Sequence, residues 1–155
     1  MQLMKNRAKD TGGLSVYELC FLILPSIPED KLSDAVSLIR EVVSKEGGKE
    51  ISAEEPFLHP LAYEMSKTVG SSRYVVSEAY LGWIKFELEP SRVSALKDGV
   101  EKINEVLRFI LVKAPRETTF TFAKARARAL EREKEKEKNN EAETLPSPVA
   151  EQVLN

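Results

Sequence analysis

The sequence predicts an α+β fold of ferredoxin-like type, a βαββαβ sandwich with a four-stranded antiparallel sheet and two helices on one face. Three observations carry this expectation. Two segments with apolar residues at helical spacing flank a pair of long extended runs, and one apolar strand stands before the first helix and another after the second. Right-handed crossovers send both helices to the same face, leaving the other face of the sheet open.

The first strand is VYELCFLIL, Val16 to Leu24, bounded by Pro25. Tyr17, Leu19, Phe21 and Ile23 point one way, and Glu18, Cys20, Leu22 and Leu24 the other. Both faces are mostly apolar, so this strand is expected to be central. Ser26 with Glu29 has the form of a capping box, and Leu32, Ala35, Val36, Ile39, Val42 and Val43 then recur at helical spacing. Gly47-Gly48 ends the helix.

Lys49 to Met65 reads as extended, but Pro56 and Pro60 interrupt it and place its early part at a sheet edge. Leu61 to Lys67 is its most regular portion, and TVGSS around Thr68 to Ser72 makes a turn. In the run Arg73 to Leu88, Ile84, Phe86 and Leu88 alternate with Trp83, Lys85 and Glu87, whose aromatic and charged face is expected to point away from the core. Glu89-Pro90-Ser91 opens a second helix with Val93, Leu96, Val100 and Ile103 on one stripe; Gly99 inside it costs about 1 kcal/mol against alanine. Phe109 to Lys113, FILVK, is the last strand, ended by Pro115.

These elements make one domain, residues 15–117, within a chain of 155 residues that is 42% hydrophobic and 31% charged. Residues 1–14 read as a flexible lead-in without signal-peptide character, and residues 118–155 as a charged tail, disordered or at most transiently helical. The closing VAEQVLN reads as a frayed terminus with docking as the alternative. No apolar run is long enough to span a bilayer, and the single cysteine fits a reducing compartment, so a cytoplasmic protein is expected. The net charge of −2 conceals a basic stretch: Arg108 to Arg128 holds six basic residues and one acid. Such a stretch suits phosphates or a solvated face equally well.

Catalytic chemistry finds little support. His59 has no second histidine for a metal or proton relay, and a buried Cys20 thiol is inert. Small phosphatases of the acylphosphatase type need a glycine-containing loop with an arginine after the first strand. Here that loop is Pro25-Ser26-Ile27-Pro28. No enzyme activity, cofactor, metal or small-molecule substrate is therefore expected. Gly82-Trp83-Ile84-Lys85-Phe86 matches part of an RNA-recognition motif, yet Ala79-Tyr80-Leu81 lacks the residues that should precede it.

A more specific resemblance rests on Tyr17-Glu18-Leu19 before an apolar strand, Leu61-Ala62-Tyr63 with Lys67 four residues on, and Val106-Leu107-Arg108 entering the last strand. In this order and spacing the chain, over roughly residues 15 to 116, resembles bacterial small-subunit ribosomal protein S six (S6). The resemblance implies the same fold, no enzymatic activity and a place in the ribosome. It also implies binding to small-subunit ribosomal RNA in its central domain together with ribosomal protein S eighteen (S18). Departures include Glu64-Met65 where the family commonly has Pro-Ile, Pro56-Phe57-Leu58-His59 in place of a tryptophan-glycine and arginines, and a hairpin several residues longer than usual.

On that resemblance, the RNA-binding residues are expected to be Tyr17, Lys67, Arg73, Arg108, Lys113 and Arg116. Partner contacts are expected from Tyr63, Trp83 and Lys85, with Trp83 an exposed anchor. Two other readings remain open: a free-standing RNA-binding regulator of RNA-recognition-motif type, and a ligand-sensing domain that dimerises through its sheet.

Overall fold

A computed structural model describes residues 13–143. Most of the lead-in and the whole VAEQVLN segment lie outside the described residues. The chain divides into two units after Thr118.

In the first unit the elements are β1 (Ser15–Ile23), α1 (Glu29–Lys45), β2 (Lys49–Val69), β3 (Ser72–Leu88), a 3-10 turn (Pro90–Arg92), α2 (Val93–Glu101) and β4 (Val106–Lys113). The four strands form one antiparallel sheet in the order β2-β3-β1-β4. This is the expected ferredoxin-like sandwich. Leu19, Phe21 and Ile23 of β1 join Ile84, Phe86 and Leu88 of β3 on one face. Against them lie Val36 and Ile39 of α1 and Leu96 and Val100 of α2. Each such side chain contributes about 1.5–3 kcal/mol by leaving water.

Local chemistry sets the boundaries. Ser26, expected as the cap of α1, sits in the preceding turn, where the Ile27 N–H donates to the Leu24 carbonyl at 3.2 Å. The N-cap is Pro28 without a side-chain cap, and Glu29 and Asp30 face the positive end of the helix dipole instead. Gly47, at φ 85°, supplies the left-handed residue that turns the chain into β2.

β2 is an edge strand, as its prolines require, and its pairing with β3 shifts between Glu54 and Phe57 and between Pro60 and Met65. Leu61 to Glu64 therefore belong to an irregular stretch rather than to the best-paired part of the strand. The reason is the missing proline donor at Pro60, which breaks the ladder just upstream. The hairpin closes at Gly70-Ser71, with glycine at φ 61° in the first central position.

The second unit contains α3 (Phe122–Glu143). The sequence predicts a disordered or transiently helical tail for this stretch. Its content of alanine, arginine, lysine and glutamate gives the helical state high intrinsic propensity, and Thr121 caps it through a 3.2 Å bond from the Lys124 N–H.

Gly99 is placed by packing. A Cβ there would stand 2.7 Å from Val42 Cγ1, where α2 crosses α1. Replacing a helical glycine by alanine ordinarily gains about 1 kcal/mol, whereas overpacking a β-branched neighbour costs about 1–3 kcal/mol. Gly99→Ala is therefore expected to lower unfolding free energy by about 1 kcal/mol. A stabilised variant in denaturant titration would contradict this close approach.

Candidate nucleic-acid interface

The face of the sheet away from the helices is built in cross-strand rows. Glu18, Lys85 and Ser52 form one row, and Cys20, Trp83 and Glu54 the next. An ammonium in the middle of such a face needs partners once it is shielded from water. Lys85 is only 2% exposed. Its Nζ donates to Thr118 Oγ1 at 2.9 Å and lies 4.0 Å from Glu18 Oε2.

Thr118 reaches this position because residues 114–118 cross the sheet as a strap. The Ala114 N–H donates to the Val16 carbonyl of β1 at 3.1 Å, Arg116 forms an ion pair with Glu87 of β3, and Thr118 shares a 3.3 Å hydrogen bond with Ser52 of β2. The face expected to be open is thus crossed by the chain itself.

Three expected contact residues are corrected by this geometry. Trp83 points away from the helices as its alternation predicts, but it is 4% exposed, and its Nε1 donates to Glu54 Oε2 at 2.8 Å. It is not an exposed anchor. Lys85 is committed to Thr118 and Glu18. Tyr17 is 5% exposed in the helix-side core, its ring centroid 6.4 Å from that of Phe86. The alternation that groups Tyr17 with Leu19, Phe21 and Ile23 was the signal for that position. Phe86 of the partial RNA-recognition submotif is fully buried on the same helix side.

Cys20 shares the shielded face with Trp83. Burial, with Glu18 beside it, raises its thiol from 9.0 to about 11.

The hairpin arm beyond Pro60 forms the second part of the site. Leu61, Met65 and Val76 pack on a small cluster of Leu24, Ala79 and Leu107. Near the tip, Lys67 Nζ donates to the carbonyls of Ile103, at 2.9 Å, and Val106. Arg108 adds a bond to the Ser66 carbonyl at 3.3 Å and one to its neighbour Leu107 at 2.8 Å. Lys67, read from sequence as a free charge, therefore fastens the arm to the loop between α2 and β4. Partial burial and the nearby Arg108 guanidinium lower its pKa, against the opposing pull of Glu105 and Glu101. No local pattern announces this contact, which joins residues 36 and 39 positions apart.

The remaining expected residues lie at the surface. Arg73, Arg108 and Lys113 are exposed, as is Arg116 apart from its pairing with Glu87. Tyr63 is 69% exposed on the irregular stretch of β2. The structure brings Lys67, Arg73 and Arg108 to the hairpin-arm region; Lys113 and Arg116 stand at the far end of β4 and on the strap. Among the described residues, no group of three histidine, cysteine or acidic side chains is arranged to hold a metal ion. Nor is any described helix long and apolar enough to cross a membrane.

Residues 16–113, from the first strand through the last, match the family described as Ribosomal protein S6. The chain belongs to that family. The small ribosomal subunit protein bS6 of Helicobacter pylori strain P12 is 34% identical over 98 residues, covering 63% of each chain. That of Acholeplasma laidlawii is 30% identical over 97 residues, 63% of this chain and 94% of the relative. For Campylobacter concisus the identity is 27% over 97 residues, and the match spans 64% of the relative's length. The crystal structure of 30S ribosomal protein S6 from Thermotoga maritima superposes with a TM-score of 0.57 at 20% identity, covering 76% of this chain and 98% of that one. At this identity it bears on the S6 fold alone. The match to the S6 family ends at Lys113, so the strap and α3 lie beyond it.

Two outcomes follow from the titrating groups. With its thiol held near 11, Cys20 should alkylate far more slowly in the native protein than in urea at pH 8–9, the native rate climbing toward pH 11. Equal native and unfolded rates would contradict its shielding. Lys67 has a depressed folded pKa, so the native state binds fewer protons than the unfolded chain between that value and 10.5. Stability conferred through Lys67 should accordingly rise with pH across this window. Lys67→Met should lack the rise and should speed amide exchange in residues 61–76 while leaving β1 protected; unchanged exchange would contradict the clamp.

Proposed function

We propose that this chain is a non-enzymatic structural constituent of the small ribosomal subunit, working in the cytoplasm. In this reading it binds the central domain of small-subunit ribosomal RNA together with S18. The observation that carries the reading is the S6 family match, which runs across the whole βαββαβ unit without a missing element.

The exposed cations supply the chemistry. Arg73, Arg108, Lys113 and Arg116 are assigned to phosphates, where neutralisation and counterion release provide affinity without reading base sequence. Lys67 acts indirectly, holding the arm that presents Arg73. Exposed Tyr63 is assigned to the protein partner, since a tyrosine offers large contact area and a polar tip. The regulator of RNA-recognition-motif type is less well supported. Such a protein stacks bases on aromatics of an open sheet, whereas here Trp83 and Phe86 are buried.

The test is a double charge reversal, Arg73→Glu with Lys113→Glu, in the full chain. Affinity for a central-domain RNA fragment is measured with S18 present and across a salt series. Binding should weaken at least about tenfold, and the log–log salt slope should become shallower by about 2. Wild-type affinity and slope in the variant would remove these residues from the interface.

A further inference from the structure

We propose that the N-terminal half of α3 is a second RNA-binding element, a cationic helix segment that lies along a phosphate backbone. This rests on the reading of the chain as a ribosomal RNA-binding protein. The element lies outside the match at residues 16–113, in the chain's second unit.

Charge is unevenly ordered along the helix. Between Glu117 and Glu131 the sequence carries Lys124, Arg126 and Arg128 and no acid; from Glu131 to Glu143 six acids meet four bases. The first turn of α3 holds no acidic residue and the last turn no basic one. A helix dipole favours the opposite order, acids at the N-terminus and cations at the C-terminus. Lys124 and Arg128 are also four residues apart, a like-charge pairing that disfavours an isolated helix. The same residue types in reverse order would satisfy the helix better. The arrangement becomes favourable when an anion faces the first two turns.

The kind of anion follows from what the helix lacks. After Phe122, the only large apolar residue of α3 is Leu130, which is 58% exposed. There is no apolar stripe to enter a protein groove or sink into a lipid interface. Lys124, Arg126 and Arg128 are all exposed, with alanines at 123, 125, 127 and 129 keeping the helix slim between them. Lys124 and Arg128 recur about 6 Å apart along the axis. A slim rod with repeated cations, whose apolar surface is confined to the Phe120–Phe122 pair at its start and Leu130, suits a repeating anion, and a nucleic-acid backbone is one. The Thr121 cap fixes the start of the helix, so the cations occupy its first two turns.

The deciding variant is Lys124→Gln/Arg126→Gln/Arg128→Gln in the full chain, bound to the same RNA fragment with S18. Binding should weaken at least about tenfold, with a salt slope shallower by about 2, because Lys124 and Arg128 share one face of the helix. Far-UV circular dichroism should show helix content unchanged or raised, because the substitutions relieve the dipole conflict. Should helix content fall instead, Arg126→Lys/Arg128→Lys decides, and wild-type affinity in that charge-preserving variant supports the proposal. A tenfold loss there overturns it. Wild-type affinity and slope in the glutamine variant, with the Arg73/Lys113 reversal still weakening binding, overturn this proposal and leave the ribosomal reading standing. A wild-type chain that does not bind the fragment overturns both, whereas binding of α3 to phosphatidylserine vesicles as tight as to the RNA overturns the α3 proposal alone.

Discussion

A lysine buried in the middle of a sheet sets the terms for the rest of this structure. Lys85 sits on β3 between Glu18 of β1 and Ser52 of β2, and removing its ammonium from water is costly unless charge and hydrogen bonds meet it. Glu18 supplies part of the charge, but at 4.0 Å it does not complete the shell. Thr118 supplies the close acceptor. For that to happen the chain must leave β4 and cross β1 and β3, and the contacts of Ala114 and Arg116 mark the crossing.

The consequence is a sheet whose two faces are used differently. The helix side is an apolar core of the usual kind for a two-layer domain. On the other side Lys85 and Trp83 are buried, Lys85 against Thr118 of the chain's own strap, while Ile110 and Val112 of β4 stay exposed. The burial of Trp83 removes the flat aromatic platform that single-stranded RNA would need. On the proposed reading, recognition falls to the margins, to the arm of the β2–β3 hairpin, the end of β4 and the strap. Lys67 and Arg108 hold that arm in place, so its length translates into a defined position rather than into a loose flap. Within the S6 family match lie the sheet and the arm; beyond it lie Arg116 and Thr118, which complete the second face.

Much of this was legible in the residues. Period-two and helical patterns located the strands and helices of the domain, the prolines of β2 announced an edge, and Gly47 marked the end of α1. The failures have common causes. Tyr17 was read through the family resemblance although its own alternation with Leu19 and Phe21 pointed to the core. Trp83 and Lys85 were correctly turned from the helices, but residues far along the chain decide whether such a face meets water, and no local pattern encodes a strap. Lys67 at a hairpin tip looks like a solvated charge until the loop after α2 comes within reach. In α3 the lack of an apolar stripe argued against order, while the helical propensity of its alanines and charged residues argued for it.

The central claim, assembly into the small subunit through exposed cations at the sheet's margins, is tested most directly by sedimentation. Tagged chain expressed in bacterial cells is followed through a sucrose gradient of the lysate. The account predicts that most of it travels with small subunits and leaves them as salt is raised. A chain that stays at the top of the gradient in low salt contradicts it.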